Sequence, residues 1–317
     1  MALVAGVVQG LSALATVCRN PFVSAGVPYP CGQCDPCRHS RRRVWAHRLM
    51  LEAMCHEESA FVTLTYTDDQ LVLASSGEPT LCPEHYVLWL KRLRERVAPA
   101  VLRFYIVGEY GDRTNRPHYH CMLFGFPTCS RGRTYRTGFS LEPVWRDCCD
   151  RCRLVGDTWK LGNVDLGQVT KDSSGYIAGY VMKKLNRFDD PRLNGRNPEF
   201  ARMSNRPGIG ADFMHEVASD LMKYQLDTRI DVPLALGHAR KQMPLGRYLR
   251  GKLREAIGHD CKAPQAVLDA MAAELLPVRE VAFASSGSLK EAVIRAGDGP
   301  FANFSARQAI YKKGRSL

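Results

Sequence analysis

The chain has no apolar run long enough to cross a membrane. A transmembrane helix needs about 20 predominantly apolar residues, and every apolar run in this 317-residue chain is shorter. The apolar segment 1–18 lacks the basic start of a secretory signal and is interrupted by Gly6, Gln9 and Gly10. These absences predict a cytoplasmic protein with no membrane partner.

An intact nucleotide-binding P-loop is also missing. The nearest string, "GRYLRGKL" (246–253), has Leu253 where a P-loop needs Ser or Thr to meet Mg²⁺. The string also lies in an amphipathic helical pattern, so the sequence predicts no ATPase.

Acidic residues are the scarcer charged class, with 32 Asp and Glu against 44 Lys and Arg and a net charge of +12. A basic excess favours a polyanionic partner, with nucleic acid ahead of an anionic lipid surface. A basic surface that only confers solubility is the alternative. The 45% of hydrophobic residues is enough for a packed core.

Twelve cysteines in a reducing compartment indicate metal binding rather than disulfides. The string "CGQCDPC" spaces Cys31, Cys34 and Cys37 by two residues each, and Cys18 lies upstream. Four thiolates can close a tetrahedral structural zinc site. His39 competes with Cys18 as the fourth ligand, and free thiols in a turn remain the alternative to any metal.

A second cluster, "RDCCDRC", holds Cys148, Cys149 and Cys152. Together with Cys129 these residues are a possible second zinc site, which would pin the insertion 127–160. The cysteine spacing here is less regular than in the first cluster, and free thiols are an equal alternative.

The hydrophobic pattern predicts an α+β domain with an antiparallel sheet and packed helices. "DRTNRP" joins two apolar runs as the short turn of a hairpin. The predicted strands cover 60–67, 101–111, 116–126 and 161–169, and the predicted helices cover 38–57, 83–97, 173–186, 211–226, 244–257 and 264–276. The stretch 285–317 is predicted as a short helix or a loosely held tail.

We predict three regions. Residues 1–40 form an N-terminal segment with the zinc knuckle, residues 41–190 form the α+β domain with its cysteine-rich insertion 127–160, and residues 191–317 form a basic helical C-terminal region.

The hairpin carries candidate metal ligands. His118 and His120 alternate along one strand, so both point to the same face, and Glu109 lies on the preceding strand. Two imidazoles and a carboxylate suit Mg²⁺ or Mn²⁺ with room for a phosphate oxygen, although zinc and non-haem iron use similar ligands. Two ordinary histidines are the alternative for the H-x-H pattern alone.

The helix predicted at 173–186 places Tyr176, Tyr180 and Lys183 on one face, because they are three or four residues apart. A tyrosinate can attack a phosphodiester, and a nearby cation favours the tyrosinate or binds the phosphate. Two amphipathic tyrosines that pack on the sheet are the alternative.

Taken together and in order, these motifs resemble those of HUH endonucleases, the initiators of rolling-circle replication, and more narrowly the initiators of gokushoviruses, single-stranded DNA phages of the microvirus family. The resemblance covers about 18–254. It rests on "TLTYT" (63–67), "GEYGDRTNRPHYHCMLFGF" (108–126), "YIAGYVMKK" (176–184), the N-terminal "PCGQCDPCR" and "RMSNRPGIG" (202–210).

The resemblance implies a catalytic Mg²⁺ or Mn²⁺ held by His118, His120 and Glu109, on a central antiparallel sheet flanked by helices. It implies that Tyr176 and Tyr180 nick one DNA strand, leaving a 5′-phosphotyrosine and a free 3′-OH, and later rejoin the strand. Lys183 would steady a phosphate or a metal-bound water.

The expected partners are single-stranded or hairpin origin DNA, together with a host helicase and DNA polymerase in the bacterial cytoplasm. A solvated charged face is the alternative for each basic stretch. The candidate DNA-binding residues are Arg41, Arg42, Arg43, Lys184, Arg247, Arg250 and Lys252.

Two rival classes fit part of the sequence. A non-catalytic, zinc-stabilised nucleic-acid-binding protein would keep the cysteines and the charge but does not need the aligned tyrosines. A metal enzyme unrelated to DNA explains neither the charge nor the tyrosines.

Overall fold

The computed structural model describes residues 17–111, 113–134, 144–170, 175, 177–179, 189–227, 229–238, 241–285 and 287–313. The chain divides into two compact units. The sheet unit comprises Ala46–Phe213, and the terminal unit comprises Met1–Trp45 with Met214–Leu317. The region boundaries predicted at residues 40 and 190 stay predictions.

The described chain begins with a small hairpin of strands β1 (Phe22–Ser24) and β2 (Val27–Tyr29). Helix α1 (Asp35–Met54) follows. The turn between β1 and β2 uses Ala25 and Gly26, both at positive φ, as a tight two-residue hairpin requires.

The sheet unit is built on five antiparallel strands in the order β6–β3–β5–β4–β7. This confirms the predicted α+β class. The strands are β3 (Ser59–Thr65), β4 (Arg103–Tyr110), β5 (Pro117–Phe124), β6 (Val164–Gln168) and β7 (Phe200–Met203), and the helices between them are α2 (Pro83–Val97) and α3 (Asp150–Trp159).

One face of the sheet carries the core. Every second residue of β5, including Tyr119, Cys121 and Leu123, is fully buried there among residues of α2 and α3 such as Trp89 and Trp159. The intervening residues of β5 point to the opposite face, where the predicted metal ligands lie. The apolar run after His120 is therefore the strand that fixes the histidines in place.

The remaining elements belong to the terminal unit, apart from the first residue of α4. Helix α6 is longer than the predicted 264–276, and the stretch predicted as a short helix or a tail forms two helices. The elements are α4 (Phe213–Lys223), β8 (Ala235–His238), β9 (Lys241–Pro244), α5 (Gly246–Ala256), α6 (Gln265–Ala284), α7 (Leu289–Ala296) and α8 (Asp298–Lys313). Within the described residues, no helix is long and apolar enough to cross a membrane.

Candidate metal centre

Glu109, His118 and His120 converge on one face of the two central strands. Glu109 lies directly opposite His118 in the register of β4 and β5. The Oε1 atom of Glu109 lies 2.8 Å from Nε2 of His118 and 3.3 Å from Nε2 of His120. The carboxylate is almost fully buried, with 5% of its side chain exposed, whereas the His118 side chain is 19% exposed. The site therefore opens to solvent on the His118 side.

Contacts to the far ring nitrogens orient both imidazoles. Nδ1 of His118 donates to the backbone carbonyl of Arg116 at 3.1 Å, because a carbonyl can only accept. Nδ1 of His120 lies 3.0 Å from the Thr63 hydroxyl, and the His120 ring stacks on Phe61. Both Nε2 atoms are thereby aimed at the Glu109 oxygen, an arrangement typical of metal-bound histidines.

The arrangement fits a cation. In a neutral His118 that donates through Nδ1, the Nε2 atom carries a lone pair, and it faces a carboxylate oxygen 2.8 Å away. Two lone pairs at this distance repel unless a proton or a metal ion lies between them. All three donor atoms lie within 4.8 Å of one another, so one ion can bind them together. Nitrogen and oxygen donors of this kind bind Mg²⁺, Mn²⁺, Zn²⁺ or Fe²⁺.

Residues between and beside the ligands lock the two strands. The Tyr119 hydroxyl donates to the Cys82 carbonyl at 2.9 Å and accepts from the Cys82 N–H at 3.0 Å. Gly108 lies against Phe200 of β7, and a Cβ there would come within 2.8 Å of the ring. A glycine directly before Glu109 thus lets the edge strand approach.

The described residues do not include the other half of the predicted site. Tyr176, Tyr180, Lys183 and Lys184 all lie outside them. Residues 175 and 177–179 are helical, in agreement with the predicted helix as far as they reach.

The N-terminal cysteines form a compact cluster. The sulfurs of Cys18, Cys31, Cys34 and Cys37 lie within 4.8 Å of one another, and that of Cys34 lies 3.8 Å from that of Cys18. Four thiolates bound tetrahedrally to zinc at about 2.3 Å would have sulfurs about 3.8 Å apart, so the spacing fits. His39, the competing candidate, lies instead edge-on to Phe304.

Backbone N–H groups support this first cluster. Burial raises the pKa of the Cys31 thiol, but donation from the N–H groups of Cys34 and Gln33 outweighs it and lowers that pKa to about 7. Since metals bind the thiolate, this environment favours the metal-binding form.

The second cluster holds Cys129, Cys148, Cys149 and Cys152, again with all sulfurs within 4.8 Å. The Cys129 sulfur lies 3.6 Å from that of Cys148 and 3.8 Å from that of Cys149. Burial opposes the Cys149 thiolate, but hydrogen bonds from the N–H groups of Cys152 and Ser130 prevail and lower its pKa to about 6. Each four-cysteine cluster could therefore hold a metal ion, as the sequence predicted.

The predicted DNA-binding residues of the terminal unit have different environments. Arg41, Arg43 and Arg247 are exposed and Arg42 is half-buried. Arg250 forms an ion pair with Asp231 and is largely buried, which makes it a structural residue. Lys252 forms an ion pair with Glu255 at 2.7 Å.

The chain is similar to replication-associated proteins of small phages, as the sequence motifs predicted. The family model of the replication-associated protein ORF2 matches residues 59–185. The matched segment includes the three residues of the metal centre and the predicted catalytic residues. No solved structure matches the chain.

Three curated proteins illustrate this similarity. Replication-associated protein VP4 of Bdellovibrio phage phiMH2K is 33% identical over 52% of this chain and 51% of its own length. Protein ORF4 of Chlamydia phage 1 is 28% identical over 79% and 60%, and protein ORF2 of Spiroplasma virus 4 is 32% identical over 62% and 60%, respectively. The chain thus spans between half and three fifths of these relatives' lengths.

Proposed function

We propose that the chain initiates DNA replication by nicking one strand of origin DNA and later rejoining it, as a rolling-circle initiator of the HUH type. The observation that carries this proposal is the convergence of Glu109, His118 and His120 on adjacent strands, inside the segment that matches the replication-associated family. The net charge of +12 suits a DNA substrate.

Glu109, His118 and His120 would hold Mg²⁺ or Mn²⁺. When bound there, such an ion supplies Lewis-acid polarisation of the scissile phosphate. The protein's own contribution is orientation: the Arg116 carbonyl and the Thr63 hydroxyl hold the two imidazoles with Nε2 toward the site.

The nucleophiles we propose are Tyr176 and Tyr180, with Lys183 beside them, on the strength of the family resemblance. The phenolic oxygen of one tyrosine would attack the phosphorus while the bond to the 3′ oxygen breaks, and the phenolic proton ends on the released 3′-OH. The 5′-phosphate stays on the tyrosine. The second tyrosine would cleave the next junction, and the released 3′-OH would attack the first adduct and rejoin the strand.

We further propose Zn²⁺ in both cysteine clusters, because all-sulfur tetrahedral sites with these spacings favour zinc. The partners we propose are single-stranded or hairpin origin DNA and, since the sequence lacks a P-loop, a helicase and a polymerase supplied by a bacterial host.

A covalent-adduct assay tests the nicking proposal. Labelled single-stranded oligonucleotides that tile the replicon encoding this chain are incubated with the protein and Mn²⁺, and the products are separated on a denaturing gel. We expect a protein–DNA adduct on one tile that disappears in the double variant Tyr176→Phe/Tyr180→Phe. The variant Tyr224→Phe, which alters an exposed tyrosine of the terminal unit, is the matched control and should keep the adduct.

Two results would contradict the proposal. An adduct that persists in the double variant would remove the nucleophile role from these tyrosines. DNA binding without an adduct on any tile would favour the non-catalytic, zinc-stabilised nucleic-acid-binding protein instead.

A further inference from the structure

Two basic segments that are far apart in the sequence touch each other in the terminal unit. The Arg43 guanidinium on α1 donates to the backbone carbonyl of Gln242 on β9 at 2.9 Å. Val44 packs so closely on the start of α5 that a Cβ at Gly246 would lie 2.7 Å from its Cγ1 atom. The first half of α1 and the segment 241–247 therefore share one surface.

The ion pairs of the terminal unit separate structural cations from available ones. Arg250 and Arg254 both bind the carboxylate of Asp231, and Arg254 is buried. Their charges are neutralised inside the unit. Arg41, Lys241 and Arg247 are exposed and, among the residues that the structure describes, form no ion pair.

The available cations lie around the contact between α1 and α5. At 100° per residue, Arg41 and Arg43 flank Val44 on the helix surface, and Val44 is the residue that meets α5. Lys241 precedes the Gln242 carbonyl to which Arg43 donates, and Arg247 lies in the first turn of α5. Arg41 also approaches the cysteine knuckle, since its guanidinium lies 2.9 Å from the Cβ position of Gly32.

We infer that Arg41, Arg43, Lys241 and Arg247 form one phosphate-binding surface, which holds the DNA backbone without reading its bases. The inference rests on the proposed function, because it takes DNA as the substrate. Guanidinium and ammonium groups in the open suit phosphate contacts, which position a nucleic acid but carry no sequence information. The tie between Arg43 and Gln242 keeps two segments of this surface in fixed register.

A salt titration of DNA binding tests the surface. The variant Arg41→Gln/Lys241→Gln/Arg247→Gln removes the three unpaired cations. The matched control, Lys223→Gln/Arg229→Gln/Lys262→Gln, removes the same charge from other exposed positions of the terminal unit. Both are made in the Tyr176→Phe/Tyr180→Phe background without added divalent metal, so that no adduct forms. Affinity for a short duplex and for a single strand is measured by fluorescence anisotropy at several salt concentrations.

We expect the surface variant to lose affinity for duplex DNA at least tenfold at about 0.1 M salt, and its slope of log K against log salt to fall by about 3, since each phosphate contact contributes about 0.9. The control should change the slope by less than about 1. Equal slopes in the two variants would overturn the inference. So would loss of binding to anionic lipid vesicles with DNA binding unchanged. Nicking is assayed separately in the tyrosine-containing protein, so failure of the surface and failure of the nicking site are distinguishable.

Discussion

The hydroxyl oxygen of Thr63 on β3 lies 3.0 Å from Nδ1 of His120 on β5, its direct cross-strand neighbour. This bond fixes the rotation of the imidazole and aims Nε2 at Glu109. Thr63 does not contact the Glu109 oxygen or the space between the three donors. It is therefore a positioning residue for the metal centre.

Replacing Thr63 by Val keeps the shape of the side chain but removes the hydrogen bond. We expect the affinity for Mn²⁺ to fall about 10- to 100-fold, the usual effect of losing a partner of a metal-bound histidine. Titration followed by electron paramagnetic resonance of Mn²⁺ measures this directly. Thr63→Ser, which retains the hydroxyl, should restore binding.

The matched control is Thr65→Val on the same strand. Thr65 lies opposite His118 in the register, but its hydroxyl donates to the Asn163 carbonyl rather than to a ligand. Equal losses of Mn²⁺ affinity in Thr63→Val and Thr65→Val would mean that Thr63 acts only through general packing.

The second cysteine cluster makes its own prediction. Cys152 lies 3.2 Å from the Thr134 hydroxyl, which accepts from the Leu166 N–H of edge strand β6 at 2.8 Å. Cys152→Ser removes one thiolate, so we expect elemental analysis to show one zinc ion fewer per chain. Because the Thr134 contact weakens too, we also expect faster proteolysis near β6.

Cys261 is exposed and lies outside both clusters, so Cys261→Ser is the control and should keep the full zinc content. Unchanged zinc in Cys152→Ser would show that the cluster is a set of thiols without an ion.

The sequence predicted the central hairpin and its site because the relevant signals are local. Helix α2 has its predicted bounds, since Pro83 suits a first helical turn and apolar residues follow at helical spacing. The two-residue alternation of His118 and His120 placed both on one face, and the short turn placed Glu109 beside them. These inferences needed no knowledge of distant contacts.

Features that depend on distant contacts were missed or left open. Strand β7 has only four residues and forms at the edge of the sheet by pairing with β4, so alternation could not reveal it. The choice between Cys18 and His39 depends on the β1–β2 hairpin, which lies between Cys18 and Cys31. Helix α7 did carry a readable signal, because Ser288 and Glu291 form a capping box.

A third prediction concerns Glu52, a fully buried carboxylate of α1. Burial opposes its charge, but hydrogen bonds from His56, Arg103 and the Gly210 N–H outweigh burial and lower the pKa of Glu52 from 4.5 to about 2. These contacts tie α1 and β4 to the loop of "RMSNRPGIG", whose Gly210 N–H donates at 2.6 Å. Glu52 thus anchors a motif that the sequence showed only by resemblance.

A folded-state pKa below the unfolded value means that the stabilisation is complete above about pH 4.5 and is lost as the pH falls toward about 2. The shift corresponds to about 3 kcal/mol at neutral pH. Glu52→Gln should therefore lower the melting temperature at pH 7, and the difference from the wild type should narrow below about pH 4.5. Acid release of bound metal affects both proteins, so it cancels in this difference. The exposed Glu95→Gln variant is the control and should melt like the wild type at every pH. A Glu52→Gln difference that stays constant from pH 7 into the acid range would show that the carboxylate contributes shape rather than charge.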